Sequence, residues 1–297
     1  SRLSQALNAF SFGLSAAAVS ALLGSAWAGV ATAGVIGMLI GVMFVLGAGR
    51  PRLSEALEAI AALVATLLAA AVATWITPIS LNTVIMSSLI VLMPGLMLTN
   101  AVSELSSQQL MSGTARFAGA LMILMKLTFG TVAAMQIVGL LGWVPQEAVA
   151  QPLSPLAELA ALLVAAYAFA VLFQASRRDY PLVMASVLLG YALTRLGGEV
   201  LGLASDNFAG GAFFAGMGVA ALANAYGRWR NRPGALIRVP GIILLVPGSV
   251  GFRSLNFVME RDVFLGLDTA FALLSALIAL VAGLLFGNLL VPSRRNL

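Results

Sequence analysis

Long apolar runs, interrupted by glycine, proline and small clusters of charge, divide the chain into ten segments at roughly 6–27, 30–48, 54–76, 83–104, 114–142, 155–175, 181–201, 208–227, 236–258 and 264–291. The runs are rich in Ala and Leu and do not alternate, so they predict helices rather than strands. In lipid each helix satisfies its own backbone groups, and about 20 apolar residues cross the hydrocarbon. The pattern therefore predicts an all-α integral membrane protein of ten transmembrane helices with short connections. It leaves no room for a soluble domain, and a β-barrel does not fit.

Composition agrees. Of 297 residues 61% are apolar and 9% charged, and mean hydropathy is +1.02. Cys 0 and His 0 remove disulfides, thiolate and imidazole metal ligands and the usual general base. No cofactor and no metal is expected, and most enzyme classes fall away. The net charge of +5 would suggest nucleic acid in a soluble protein. Here the arginines stand in short loops between apolar runs, so they read as topology signals and nucleic acid is not a partner. The chain opens Ser1-Arg2 without an initiator Met, which points to an upstream piece removed. Ala26-Trp27-Ala28 resembles a signal-peptide cleavage site, but the apolar run that follows almost at once argues for a first span.

Arg50 and Arg52 follow span 2, Arg177 and Arg178 follow span 6, Arg228, Arg230 and Arg232 follow span 8, and Arg294 and Arg295 follow span 10. All are even-numbered exits. The odd-numbered exits carry almost no basic residue, apart from Arg261 between Glu260 and Asp262 after span 9. The positive-inside rule then places both termini in the cytoplasm, the protein being multi-pass in the inner (cytoplasmic) membrane.

The chain also matches itself. Leu92-Met93-Pro94-Gly95 parallels Leu245-Val246-Pro247-Gly248, and Gly113 and Gly266 follow at the same distance; the offset is 153 both times (247 − 94 and 266 − 113). Residues 1–150 and 151–297 thus read as two five-helix repeats. Five is odd, so the second repeat threads the membrane upside down relative to the first, an arrangement typical of secondary transporters. Proline removes a backbone donor and the glycine after it loosens the turn. Pro94, Gly95, Pro247 and Gly248 therefore predict interrupted helices 4 and 9 whose freed backbone groups face a binding site. The alternative is a pair of kinks that serve packing alone.

At these residues the sequence resembles the threonine/serine exporter family, which also occurs as two separate chains. The matching stretches are Leu92 to Phe117, LMPGLMLTNAVSELSSQQLMSGTARF, and Leu244 to Leu290, LLVPGSVGFRSLNFVMERDVFLGLDTAFALLSALIALVAGLLFGNLL. The likeness runs more loosely over nearly the whole chain, including the GRWRNRPG turn. It implies a ten-span inner-membrane exporter of threonine and serine driven by the proton gradient, an antiporter. Some two-chain relatives resemble dicarboxylate exporters instead. The resemblance also implies a cytoplasmic segment ahead of the first span, upstream or on a separate chain, and the sequence here starts without it.

Charge inside a membrane is costly, so each such residue is a candidate for function. Lys126, near the centre of span 5, either lines a hydrated cavity and attracts a carboxylate or pairs with another span. Arg116 and Asp268 open spans 5 and 10 and are read as parts of two opposite gates, Arg116 having a snorkelling interfacial role as its alternative. Proton coupling without histidine needs a carboxyl raised by burial, for which Asp268, Glu104 and Glu199 are the candidates. Arg195, one turn before Glu199, makes that residue a structural partner. Thr99 and Asn100 after the first break, and Ser249 and Arg253 after the second, supply donors and acceptors for a small polar cargo. Arg253 is equally consistent with an arginine at the outer interface. Ser15, Thr32 and Ser186 are expected to bond their own helices, and Gly34, Gly37 and Gly41 to allow close helix contact.

The leading function is a secondary exporter of small hydroxy amino acids, with the cargo between broken helices 4 and 9 and protons and the lipid bilayer as its other partners. A dicarboxylate exporter is the runner-up, favoured by the cations Lys126, Arg116, Arg195 and Arg253. A second copy of the chain is a further candidate partner. Catalysis fails on geometry, because Ser112 and Thr128 are wrongly spaced from Lys126 for a Ser/Lys dyad. A channel or a lipid-binding scaffold differs from a carrier in lacking gradient-driven accumulation.

Overall fold

The computed structural model describes residues 2–151, 153–200, 208–230, 234–243, 252, 257–258 and 262–292. Among them are helices α1 (Arg2–Leu22), α2 (Trp27–Gly47), α3 (Pro51–Trp75), α4 (Leu81–Ser88), α5 (Gly95–Ser106), α6 (Leu110–Leu140), α7 (Pro155–Leu172), α8 (Tyr180–Val200), α9 (Phe208–Arg230), α10 (Ala235–Ile243) and α11 (Val263–Leu290). Seven of these are long and apolar enough to cross a membrane, and the bent pair formed by α4 and α5, a broken span or a re-entrant loop, brings the number to eight if it crosses as one. The protein is an all-helical membrane protein. Segment 208–227 is helical as expected, and of segment 236–258 the continuous described helix is α10.

Local chemistry sets the helix ends. Ser154 accepts from the Ala157 N–H at 3.3 Å and Asp262 from the Leu265 N–H at 3.1 Å, so side chains cap α7 and α11. Pro51 and Pro155 occupy first-turn positions where a missing N–H costs nothing. Gly142, at φ 70°, closes α6 with the Trp143 N–H donating back to the Val138 carbonyl.

Helix starts recur along the chain. Trp27 and Tyr180, and Leu110 and Val263, open α2 and α8, and α6 and α11, each pair 153 residues apart (180 − 27, 263 − 110). The packing recurs too. A Cβ at Gly130 of α6 would collide with the Ala59 carbonyl oxygen and come within 3.0 Å of the Leu63 nitrogen on α3. At Gly283 of α11 it would collide with the Phe213 carbonyl oxygen and come within 3.0 Å of the Met217 nitrogen on α9. The same glycine thus lets the same two helices touch backbone to backbone in each half.

The chain packs as two compact units, one of residues 1–93 and 123–174 and the other of 94–122 and 175–297, so α6 contributes to both. In the first unit α1 lies against α2 and α7. The expected role of the small residues is seen there: Cβ atoms at Gly37 and Gly41 would come within 2.9 Å of the Phe12 and Ala9 carbonyl oxygens. The hydroxyls of Ser15, Thr32 and, in the second unit, Ser186 donate to carbonyls of their own helices, as anticipated. One end of the first unit is knitted by its loops. The Ile79 N–H donates to the Gln146 carbonyl, the Ala148 N–H to Ile79 and the Gln151 N–H to Gly24. The links after α1, α3 and α6 therefore share one end, which is what alternate threading requires, and they are the links poor in basic residues.

In the second unit α9 packs along α8 and α11, and α5 lies against α10 and α11. Ala212, Ala215, Val219, Ala220, Ile242, Leu280 and Leu284 form its buried core, with Leu96 of α5 packed on it.

Candidate functional site

Segment 83–104 is interrupted, as Pro94 predicts, but the interruption starts earlier. The helix ends at Ser88, passes through a 3-10 turn at Ile90–Leu92, goes extended at Met93 and restarts at Gly95, with a bend of 52°. The proline ring occupies the space that the carbonyl of residue 90, four positions back, takes in a continuous helix, so the turn before Pro94 fails with it. Pro94 and Gly95 are buried. No side chain caps α5, so the N–H groups of its first turn face the break without intrahelical acceptors. Together with the helix dipole they form a weakly positive end suited to a carboxylate.

Of the polar residues that follow, Thr99 is buried and its hydroxyl donates to the Gly95 carbonyl at 3.2 Å, while Asn100 is exposed. The equivalents in the other half, Pro247, Gly248, Ser249 and Arg253, lie outside the described residues, as does the side chain of Glu199. Of the segment that holds Pro247, α10 is described, and α5 packs against it. The half-helix that begins after Pro94 is thus a neighbour of α10, which is described as far as Ile243.

Lys126 pairs with another span. Its Nζ donates to the Glu55 carbonyl at 2.7 Å and lies 3.6 Å from Glu58 Oε2, both on α3. Its depth also differs from its place in the sequence. Glu58 is seven residues beyond Pro51, about 10 Å into α3, so Lys126 stands nearer the Arg50/Arg52 end than mid-span. With 31 residues α6 exceeds one crossing, and its middle residue is not the middle of the bilayer. Glu58 Oε2 is buried without a hydrogen bond. The sequence reading passed over Glu58 as the start of a span, although a carboxylate two turns inside an apolar run was a usable signal.

Arg116 and Glu104, assigned separately from sequence, meet: Arg116 Nε donates to Glu104 Oε1 at 2.9 Å, linking α6 to α5. Arg116 is 43% exposed, and Glu104 keeps Oε2 buried and unbonded. Asp268 is exposed on α11 beside Phe264, Leu267 and Phe271, and no described residue pairs with it.

A further polar cluster was missed altogether. In the second unit Arg238 Nη2 donates to Asn224 Oδ1 at 3.1 Å and to Asn288 Oδ1 at 3.3 Å. Asn224 Nδ2 donates to Asn288 Oδ1 at 2.8 Å and to the Val291 carbonyl at 2.7 Å. Arg238 follows the basic GRWRNRPG turn so closely that it reads as one more loop cation. The usable signal was the two asparagines inside apolar runs, since a buried amide requires partners.

Two family models match the chain. One, described as "Putative threonine/serine exporter", covers residues 1–138, and the other, described as "Threonine/Serine exporter, ThrE", covers residues 158–290. No curated protein and no solved structure matches. With one model on the first half and the other on the second, the chain belongs to the threonine/serine exporter family, in a form that fuses both halves.

Proposed function

We propose that this chain is a secondary-active exporter of threonine and serine in the inner membrane, with both termini cytoplasmic, proton-coupled and working by alternating access. Its ten spans form two inverted five-helix repeats, and the cargo binds where interrupted helices 4 and 9 approach each other. The observation that carries this reading is the packing of α5, the half-helix opening at Gly95, against α10, the described helix of the segment that holds Pro247. Interrupted helices at matching places in two repeats put unpaired backbone dipoles where a zwitterion needs them, N–H donors for its carboxylate and carbonyls for its ammonium. The recurring helix starts and the paired glycines Gly130 and Gly283 support the duplication.

A dicarboxylate cargo is less favoured. Its argument was a surplus of cations, yet Lys126 is paired with Glu58 and Arg116 with Glu104. Arg238, without a described carboxylate partner, matches a cargo carrying one carboxylate.

Proteoliposomes holding the purified chain, loaded with serine, threonine or succinate, test this. Threonine or serine efflux that speeds up when a proton gradient is imposed is the expected result. Succinate efflux without amino-acid efflux would reverse the order of the two readings, and movement of none of the three would reject both.

A further inference from the structure

Arg238 is the fourth residue of α10, at the end of the second unit where α9 stops and α11 stops. Arg228 and Arg230 stand in the last turn of α9, marking this as the arginine-rich end. The guanidinium is half-buried. Both of its described hydrogen bonds come from Nη2 and go to neutral amide oxygens, and Nε is buried with no acceptor. No carboxylate among the described residues pairs with it. A buried cation usually has a carboxylate, and a buried donor usually has an acceptor; among the described residues both are missing here.

The amides have no freedom to supply them. Asn224 spends Nδ2 on Asn288 and on the last turn of α11, and its oxygen on Arg238. The guanidinium is therefore held in a fixed orientation with donors to spare, as recognition of a planar carboxylate requires. It also sits beside a weakened point of the helix: Pro240, two residues on, removes a hydrogen bond from α10.

We propose that Arg238, oriented by Asn224 and Asn288, is the cytoplasmic-side binding site for the carboxylate of the exported amino acid. This rests on the exporter reading above and adds to it the residue that selects the cargo's acid group. In the present conformation Nε is enclosed, so the carboxylate gains its second donor when α10 shifts. The site then belongs to one of the two alternating states.

The test uses the full chain in nanodiscs and compares binding of threonine with binding of threonine amide, which lacks the carboxylate. Wild type should prefer threonine by about 10- to 100-fold, the worth of a charge-assisted hydrogen bond, and Arg238→Gln should bring the two ligands to equal affinity. Asn288→Asp guards against a variant that fails to fold, because it keeps the acceptor for Arg238 and supplies a resident carboxylate. It should retain thermal stability while threonine binding falls about 10-fold or more. If Arg238 only caps α11, Asn288→Asp leaves the preference for threonine unchanged, and the proposal is overturned. Inorganic phosphate competing as well as threonine would also overturn it, since the cradle would then be a general anion site. Failure of wild type to bind or move either amino acid would instead reject the exporter reading.

Discussion

Gly130→Ala isolates a contact on which the first unit's packing depends. The added methyl would collide with the Ala59 carbonyl oxygen and approach Ala62 Cβ to 2.8 Å and the Leu63 nitrogen to 3.0 Å. Two of those atoms belong to the α3 backbone, which cannot rotate aside, so α3 and α6 must separate. Overpacking of this kind costs about 1–3 kcal/mol. Replacing a helix-interior glycine by alanine returns roughly 0.5–1 kcal/mol through propensity. Gly139, in the same helix with nothing within 4 Å, receives only the second effect and serves as the control. The two variants should differ by about 1–3 kcal/mol, or roughly 5- to 150-fold in the folding equilibrium. The assay is reversible unfolding of the purified protein in one detergent, with Gly283→Ala as a third arm because its surroundings repeat those of Gly130. Gly130 is also one turn from Lys126, so its replacement should lower transport through the Lys126–Glu58 distance. Equal stability of Gly130→Ala and Gly139→Ala would refute the close approach of α3 and α6.

Lys126→Ala leaves Glu58 without its cation; for groups this partly shielded the loss should be about 1–2 kcal/mol, between exposed and buried pairs. A Lys126→Ala/Glu58→Gln double variant should regain part of it, and an additive double-mutant cycle would show that the pair is not coupled. Pro94→Ala restores a backbone donor and lets α4 run toward α5, so transport should collapse while expression and helical content by circular dichroism are kept; wild-type flux would dismiss the break as a packing kink. Asp268→Asn removes an exposed carboxylate, so stability should hold while the response of efflux to an imposed pH gradient weakens. An unaltered response would remove Asp268 from coupling. Arg116→Gln, at a pair 43% exposed on the arginine side, should cost less than about 1 kcal/mol in stability yet slow transport if that pair acts as a gate, which initial efflux rates decide.

Helix positions were legible because their causes are local. An apolar run of about 20 residues must be a helix in lipid, Pro94 must interrupt one, and a glycine facing another glycine or alanine invites contact. A repeated Pro-Gly and a repeated spacing were legible for the same reason. The start of the break at Leu89 was less so, because the proline acts on the carbonyl four residues before it. The polar partnerships were not legible. Lys126 was read as lining a cavity or pairing with another span, but which residues it would meet could not be read, since they are 71 and 68 positions away (126 − 55 and 126 − 58).

The sequence by itself determined that this is a helical membrane protein and where most helices run, since hydrophobicity, proline and glycine act through covalent geometry and through the solvent. Only the tertiary structure decided which charges are spent on each other and which is left over. Arg116 closes on Glu104 and Lys126 on α3, whereas among the described residues Arg238 meets only amides. Such pairing depends on the axial register and rotational phase of helices distant in sequence, and a shift of one residue turns a side chain by about 100° away from its partner.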